Sequence, residues 1–354
     1  MRHFAKALQW CLLVVGSSML AIALEHWMST AGVLVAAMLS AMCVGLSGGR
    51  LIVPPRFVLI AQAITAVAIA STIDTRGLVK AATDGWVFVA VLLTVAIPVV
   101  VGWVIVRFGS LPGTTGAWGS LPGAASVMGP LGMDHGADGI LVSLMQYLRV
   151  VLVVATGPVI AHALDGARPA VIATSAASHA TAPSLTGSVF LAIAVSLLGC
   201  WVGKKCRILA GAFLVPLLLG TVCTGGFSLA LHVPTLLLAG CFTILGWAIG
   251  LQFRRELAMS MFRSLPEMLL AILAMLILCG CCAWLLSGIA SISFLTAYLA
   301  TTPGGLDSVV AIAMGTSADM NFVVAAQTLR LLTVVSIGPL LAKMLARTKE
   351  AANA

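Results

Sequence analysis

Arg149 and Arg330 each lie about ten residues into an apolar stretch long enough to cross hydrocarbon. A guanidinium at that depth costs at least about 2.5–3.5 kcal/mol unless it is hydrated or hydrogen-bonded. Each arginine follows a glutamine by three residues (Gln146, Gln327) and an aspartate by eleven (Asp138, Asp319). Positions 138, 142, 146, 149 and 153 step by 4, 4, 3 and 4, the interval at which a helix returns to one face. Positions 319, 323, 327, 330 and 334 do the same. Each aspartate falls at its helix start, where the dipole favours an anion. The planar fork of arginine suits a carboxylate or a phosphate, because it donates two parallel hydrogen bonds. Three partners are open to each arginine: an anionic group of a substrate, the carbonyl ends of a neighbouring broken helix, or an acid such as Asp307 or one on a partner chain.

These residues belong to a pattern that occurs twice. Pro122–Gly123 … Asp138 … Gln146 … Arg149 … Gly157–Pro158 returns 181 residues later as Pro303–Gly304 … Asp319 … Gln327 … Arg330 … Gly338–Pro339, with Thr115 matched by Thr296. Ahead of each helix lies a turn-rich segment. The first runs from Gly109 to Gly123 and contains Ser-Leu-Pro-Gly twice; the second contains Thr301–Thr302–Pro303–Gly304–Gly305. Proline presets the first turn of a helix, and glycine allows close backbone approach. Irregular backbone at membrane depth survives only when protein shields it or when it lines a wet cavity.

The rest of the chain fits that setting. Hydrophobic residues make up 61% of 354 and charged residues 8%, with mean hydropathy +1.13, against about 25% charged residues in a soluble domain. Apolar stretches begin near residues 7, 29, 57, 86, 139, 188, 208, 235, 266 and 320. The second and seventh are short and interrupted by Gly or Pro. The expected fold is therefore an all-α polytopic membrane protein of about ten transmembrane helices, divided into a first membrane repeat (1–162), a linker rich in Ala, Ser and Thr (163–187) and a second membrane repeat (188–354).

The net charge of +8 reflects topology rather than a nucleic-acid surface. Arg50, Arg56, Arg107, Lys204, Lys205, Arg207, Arg254, Arg255 and Arg263 fall in alternate loops on the side of Arg2 and Lys6, with Lys343, Arg347 and Lys349 in the tail; Arg76, Lys80 and Arg168 fall on the other. The positive-inside rule then puts both termini in the cytoplasm. The bias alternates through all the spans only if 109–137 and 290–318 do not cross fully. They are expected to be re-entrant broken-helix hairpins dipping from opposite faces. Five spans per half is an odd number, so the halves form an inverted-topology pair, as in many secondary transporters. Arg2 and Lys6 ahead of an apolar run ending Ala21–Ile22–Ala23 also have the form of a signal peptide; an uncleaved first helix keeps five spans in each half and is the expectation.

Within this frame the candidate substrate-binding residues are Arg149, Arg330, Gln146, Gln327, Thr115, Thr296, Pro122, Gly123, Pro303, Gly304 and Gly305. Asp307, whose counterpart is Ser126, breaks the symmetry; with Asp138 and Asp319 it is a candidate for the coupling ion, H⁺ or Na⁺, or else a dipole partner in the first turn of its helix. Glu25, Asp74, Asp84, Glu256 and Glu267 fall at span ends, where solvation or capping is the default. Nine cysteines form no CxxC pair, and Cys279, Cys281 and Cys282 lie inside an apolar span. Six histidines are scattered, with only His135 near the proposed centre. No metal, no cofactor and no catalytic residue is expected.

The Pro-Gly-Gly loop, the apolar helix start with its Asp, and Gln-x-x-Arg followed by Gly-Pro resemble the duplicated domain of the AbrB membrane-protein family, also catalogued under the label ammonia monooxygenase. Ala300 to Arg330 fits that pattern well, whereas the first copy departs at Pro122–Gly123–Ala124 and lacks an acid at Ser126. The resemblance covers essentially the whole chain. It implies a multi-pass protein of the bacterial inner membrane and carries a label of regulation of gene expression, which would act indirectly, since no cytoplasmic segment is long enough for a DNA-binding domain. An oxygenase would need clustered His or carboxylate ligands, and the residues argue against one. The sequence thus points to a secondary-transporter-like protein moving a small solute, an anion for preference, with a membrane-embedded regulator as the alternative. The bilayer is the partner implied; a homo-oligomer stays open.

Overall fold

In the computed structural model the described residues are 2–112, 114–121, 132–133, 136–165, 185–206, 210–255 and 262–353; side chains at 2–6, 25–30, 165, 185, 307, 335–336, 338–339 and 341–353 fall outside the description. Every element among them is an α-helix: α1 (Arg2–Leu46), α2 (Pro55–Ala70), α3 (Thr75–Thr83), α4 (Gly85–Phe108), α5 (Thr115–Ser120), α6 (Gly139–Asp165), α7 (Leu185–Lys205), α8 (Gly211–Gly225), α9 (Thr235–Gly250), α10 (Leu265–Ala290), α11 (Phe294–Thr301), α12 (Leu306–Ala313) and α13 (Met320–Asn353).

Apolar helix lies at each of the ten places the sequence marked, the first two within the single 45-residue α1, and the lengths differ from expectation. Five are long and apolar enough to cross a membrane: Ala7–Leu24, Gly85–Phe108, Gly139–Leu164, Thr186–Lys205 and Leu265–Ala290. The pair α2 and α3 makes a sixth if counted together, although it bends by 95°. Ala31–Leu46 and Gly211–Gly225 are short, as expected for the second and seventh stretches. Pro55–Ala70 and Thr235–Gly250 are equally short, which hydropathy alone did not reveal. The reason at the α2 end is local. Ser71 and Thr72 turn their hydroxyls back onto the carbonyls of Ala68 and Ile69, and Asp74 then accepts from the amide of Gly77 to start α3. Side-chain oxygens here satisfy the orphan groups that a helix terminus leaves.

Contacts divide the chain into two compact units, each made of three separate stretches of sequence. The first takes Met1–Ala82, Gly157–Arg254 and Val310–Asn321. Its closest packing joins α1 to α9, where a Cβ added at Gly246 or Gly250 would meet the backbone oxygen of Leu34 or Met38 at 2.7 and 2.3 Å. Two glycines four residues apart let helices approach to backbone contact, the usual device for helix pairs in lipid. The second unit takes Thr83–Thr156, Arg255–Val309 and Phe322–Ala354, and it holds both arginines.

In that second unit Asp84 accepts from the amide of Trp86 and starts α4, which runs to Gly109. The six-residue α5 lies between α4 and α6. Its Gly116 faces Ile105 and its Gly119 faces Met145 so closely that a Cβ would come within 2.4 and 2.6 Å of them. Trp118 of α5 is fully buried and packs with Leu121, Val142 and Val334. On the other side of the unit, α10 ends at Ser291 in the left-handed region (φ +55°), and Ser293 caps the following α11 by accepting from the amide of Thr296.

Candidate functional site

Short helices α5 and α11 each end in front of a proline, Pro122 or Pro303. Proline has no N–H to return to a helix, so the last carbonyls of each need donors from elsewhere. The glutamine and arginine one face along the next long helix supply them. On α6, Gln146 Nε2 donates to the carbonyls of Trp118 (3.2 Å) and Leu121 (2.8 Å). Arg149 Nη1 donates to those of Ser120 (3.0 Å) and Leu121 (3.3 Å). On α13, Gln327 Nε2 donates to Leu299 (2.7 Å), Ala300 (3.4 Å) and Thr302 (3.3 Å), while Arg330 reaches Thr302 through Nη1 (2.8 Å) and Gly304 through Nη2 (2.7 Å). Leu121 and Thr302, like Trp118 and Leu299, are 181 residues apart. Both guanidinium groups are all but sealed from solvent, at 3% and 4% exposure.

Of the three partners open to the arginines, the structure therefore gives both of them backbone carbonyls. The terminal nitrogens are already engaged: both of Arg330 hold helix-end carbonyls, and in Arg149 Nη1 holds two such carbonyls while Nη2 goes to Gln146. Arg330 lies within electrostatic reach of Arg149, and the buried Cys279 of α10 within reach of both. The two wirings differ in detail. Arg149 Nη2 also donates to Gln146 Oε1 at 2.6 Å, leaving its buried Nε without an acceptor. In the second motif the buried Gln327 Oε1 has no hydrogen-bond partner among the described residues.

The remaining sequence candidates take supporting places. Thr115 is fully buried; its hydroxyl donates to the carbonyl of Pro112 and accepts from the amide of Asp138, tying the start of α5 to the start of α6. Thr296 shares a 2.7 Å hydrogen bond with the hydroxyl of Ser293. Asp138 accepts from the amides of Ile140 and Leu141, and Asp319 from that of Asn321, so each carboxylate caps the helix it opens. Pro303 is buried beside Thr302, and the carbonyl of Gly305 accepts from Val309 in the first turn of α12. Asp307 lies on α12, but its side chain is outside the described residues, as are Pro122, Gly123, Ser126, His135 and residues 166–184. Among the described residues no three His, Cys, Asp or Glu side chains converge where a metal ion could be held.

Two features escaped the sequence reading. The first is Glu267 in the opening turn of α10. Both its oxygens accept from the amide of Ser110 (3.1 and 3.0 Å), and Oε2 also takes the Ser110 hydroxyl at 2.5 Å. Instead of being merely solvated or capping its own helix, it holds the segment that leads into α5. The doubled Ser-Leu-Pro-Gly was the available signal: the first unit, at Ser110, is held by an acid through its donors, and the second, at Ser120–Leu121, by an arginine through its carbonyls. The second feature is a crossed fit one turn beyond each arginine. Val334 on α13 packs against Trp118 and Leu121 of the first motif. Val153 on α6 lies against Gly304 of the second, where an added Cβ would come within 2.8 Å of it.

Comparison with known proteins gives a consistent result. A family model described as "Transition state regulatory protein AbrB" matches residues 33–346. A protein of Escherichia coli strain K12 named "Putative regulator AbrB" is 37% identical over 340 residues, covering 96% of this chain and 97% of the relative. A protein of Bacillus subtilis strain 168, "Uncharacterized protein YhjN", is 28% identical over 271 residues, 72% of this chain and 70% of its own. No solved structure matches.

Proposed function

The chain belongs to the AbrB family, and on that premise we propose that it is a multi-pass protein of the bacterial inner membrane that moves a small solute, an anion for preference, as a secondary transporter does. Both termini are cytoplasmic in this reading, the two halves are inverted repeats, and α5 and α11 are the broken arms of re-entrant hairpins. One observation carries it: two buried arginines each hold the carbonyl end of a short, interrupted helix. Interrupted helices inside a membrane are the usual binding elements of secondary transporters, and a permanently charged donor that satisfies their ends lets them persist without lipid contact. The arginines in this reading position the helix ends and set a positive field there, and the protein performs no chemical transformation.

The test is flux in proteoliposomes, with chloride, acetate, succinate and inorganic phosphate as probes. At least one should give saturable uptake. Arg149→Lys and Arg330→Lys keep the charge but lose the planar guanidinium with its several fixed donors; each is expected to insert normally and to lower uptake at least about tenfold, or 1.4 kcal/mol in barrier. Uptake of none of the four probes would overturn the reading.

The printed name of the Escherichia coli relative favours a second reading, an indirect regulator of gene expression. Transcript profiles of a deletion strain, complemented with wild type or with the Arg149→Lys/Arg330→Lys double variant, separate the two. Full restoration by the double variant would detach regulation from this site.

A further inference from the structure

We propose that the end of the first compact unit where α2 begins and α7 finishes binds the headgroup of an anionic phospholipid, through Arg56, Lys204 and Lys205. Near the end of α7, Cys200 puts its Sγ 3.9 Å from the carbonyl of Leu59 near the start of α2. The two helices run in opposite directions through that contact, so Arg56 on α2 and Lys204 on α7 each lie about one turn beyond it, toward the same end. The frame that carries them is close-packed. A Cβ added at Gly199 would meet the Cα of Pro216 at 2.7 Å, and one at Gly203 the carbonyl oxygen of Gly211 at 2.3 Å, so α7 lies on α8 at backbone contact. The ends of α1 and α9 arrive at the same place. Leu51, just past α1, packs with Leu251, just past α9, and a Cβ at Gly45 would come within 2.4 Å of the carbonyl oxygen of Phe253. Arg50 and Arg254 follow these two helices.

Arg50, Arg56, Lys204, Lys205 and Arg254 are all exposed. The stretches that build this end, 41–59, 198–206, 210–214 and 247–255, contain no aspartate and no glutamate. Their positive charge therefore has no acid of its own stretches to offset it. The opposite end of α2 differs: there Asp74 opens α3 beside Arg76. Apolar surface adjoins the cations. Ile52, Phe57 and Trp201 are 64, 50 and 58% exposed, and the ammonium of Lys205 stands 4.7 Å from the centroid of the Trp201 ring. An indole one turn inside a lysine is the pairing that settles at the boundary between hydrocarbon and headgroups. A cationic rim above an exposed apolar wall matches a molecule that is anionic at one end and hydrocarbon at the other. A free phosphate would use only the rim. In the reading given above, this end faces the cytoplasm and the lipid belongs to the inner leaflet, where basic clusters beside membrane helices meet anionic headgroups. The binding itself does not require that any solute move.

Native mass spectrometry of the full chain released from detergent micelles tests this, with phosphatidylglycerol, phosphatidylethanolamine and inorganic phosphate as probes. The wild type should retain phosphatidylglycerol at least about tenfold more strongly than phosphatidylethanolamine, whose ammonium offsets its phosphate, and equimolar inorganic phosphate should not displace it. Arg56→Gln/Lys204→Gln should weaken phosphatidylglycerol binding by about twentyfold, from about fivefold for each cation removed, the equivalent of about 1 kcal/mol. Arg76→Gln/Lys80→Gln takes the same charge from the other end of α2 and α3 and should change it by less than about twofold. Arg56→Lys/Lys204→Arg keeps the charges and should bind as the wild type does. Equal retention of the two lipids by the wild type, or equal loss in the two neutralised pairs, overturns the site. Displacement by inorganic phosphate overturns the lipid as occupant and assigns the rim to a free anion. The wild-type preference between lipids needs no substitution, so it decides even if a variant fails to fold. Lipid retention as stated in a protein that moves none of the probe anions leaves the lipid site standing while the transporter reading falls; uptake without lipid preference does the reverse.

Discussion

The two short helices have the same neighbours at their carbonyl ends and different ones at their starts. At α5 the exit is held by Gln146 and Arg149, and the approach is held by Glu267 at Ser110 and by Thr115, which accepts from the amide of Asp138. At α11 the exit is held by Gln327 and Arg330, reaching two residues further to Gly304, and Ser293 caps the entrance. The two motifs thus share the part that any interrupted helix requires, donors for stranded carbonyls, and differ in what holds the start of the helix.

The sharpest way to break that comparison is to remove the arginines. Arg149→Ala strands the carbonyl of Ser120 and the Oε1 of Gln146, whereas Arg330→Ala strands only the carbonyl of Gly304, because Thr302 keeps Gln327. At about 1–3 kcal/mol for each buried group left unpaired, Arg149→Ala should cost about 2–6 kcal/mol and Arg330→Ala about half as much, read from reversible unfolding in detergent micelles. Equal losses would mean that the two wirings are energetically the same. Gly304→Ala comes next. Its Cβ would meet Val309 at 2.6 Å and Val153 at 2.8 Å, an overpacking of about 1–3 kcal/mol, and Val153→Ala in the same chain should recover part of it; strict additivity of the two changes would deny the contact. The smallest effect tests the crossed fit. Val334→Ala should speed exchange in 115–121, and Val153→Ala in 302–306, each by about tenfold, in line with about 0.8 kcal/mol for each buried methylene removed. Acceleration in the same motif as the substituted valine would reverse the assignment.

What the residues made legible in advance was set by periodicity. The 4-4-3-4 spacing placed Gln146 with Arg149, and Gln327 with Arg330, and the doubled pattern marked both as positions with a shared task. Helical register fixes which side chains lie together on one helix, but not which carbonyls of another segment stand opposite, so the choice among substrate, backbone and acid had to come from the fold. Glu267 was the clearest loss. A glutamate in the first turn of an apolar helix is adequately explained by the dipole, and nothing local to residue 267 points to residue 110. The length of Pro55–Ala70 was missed for a related reason. Hydropathy averages over a window and does not register Ser71, Thr72 and Asp74 closing one helix and opening the next.

The crossed valines make the two motifs one packing unit. Each long helix holds one interrupted segment with its amide and guanidinium groups and lies against the other with its valine. Neither motif has a complete set of neighbours within its own stretch of sequence, so a change in either alters the surroundings of both.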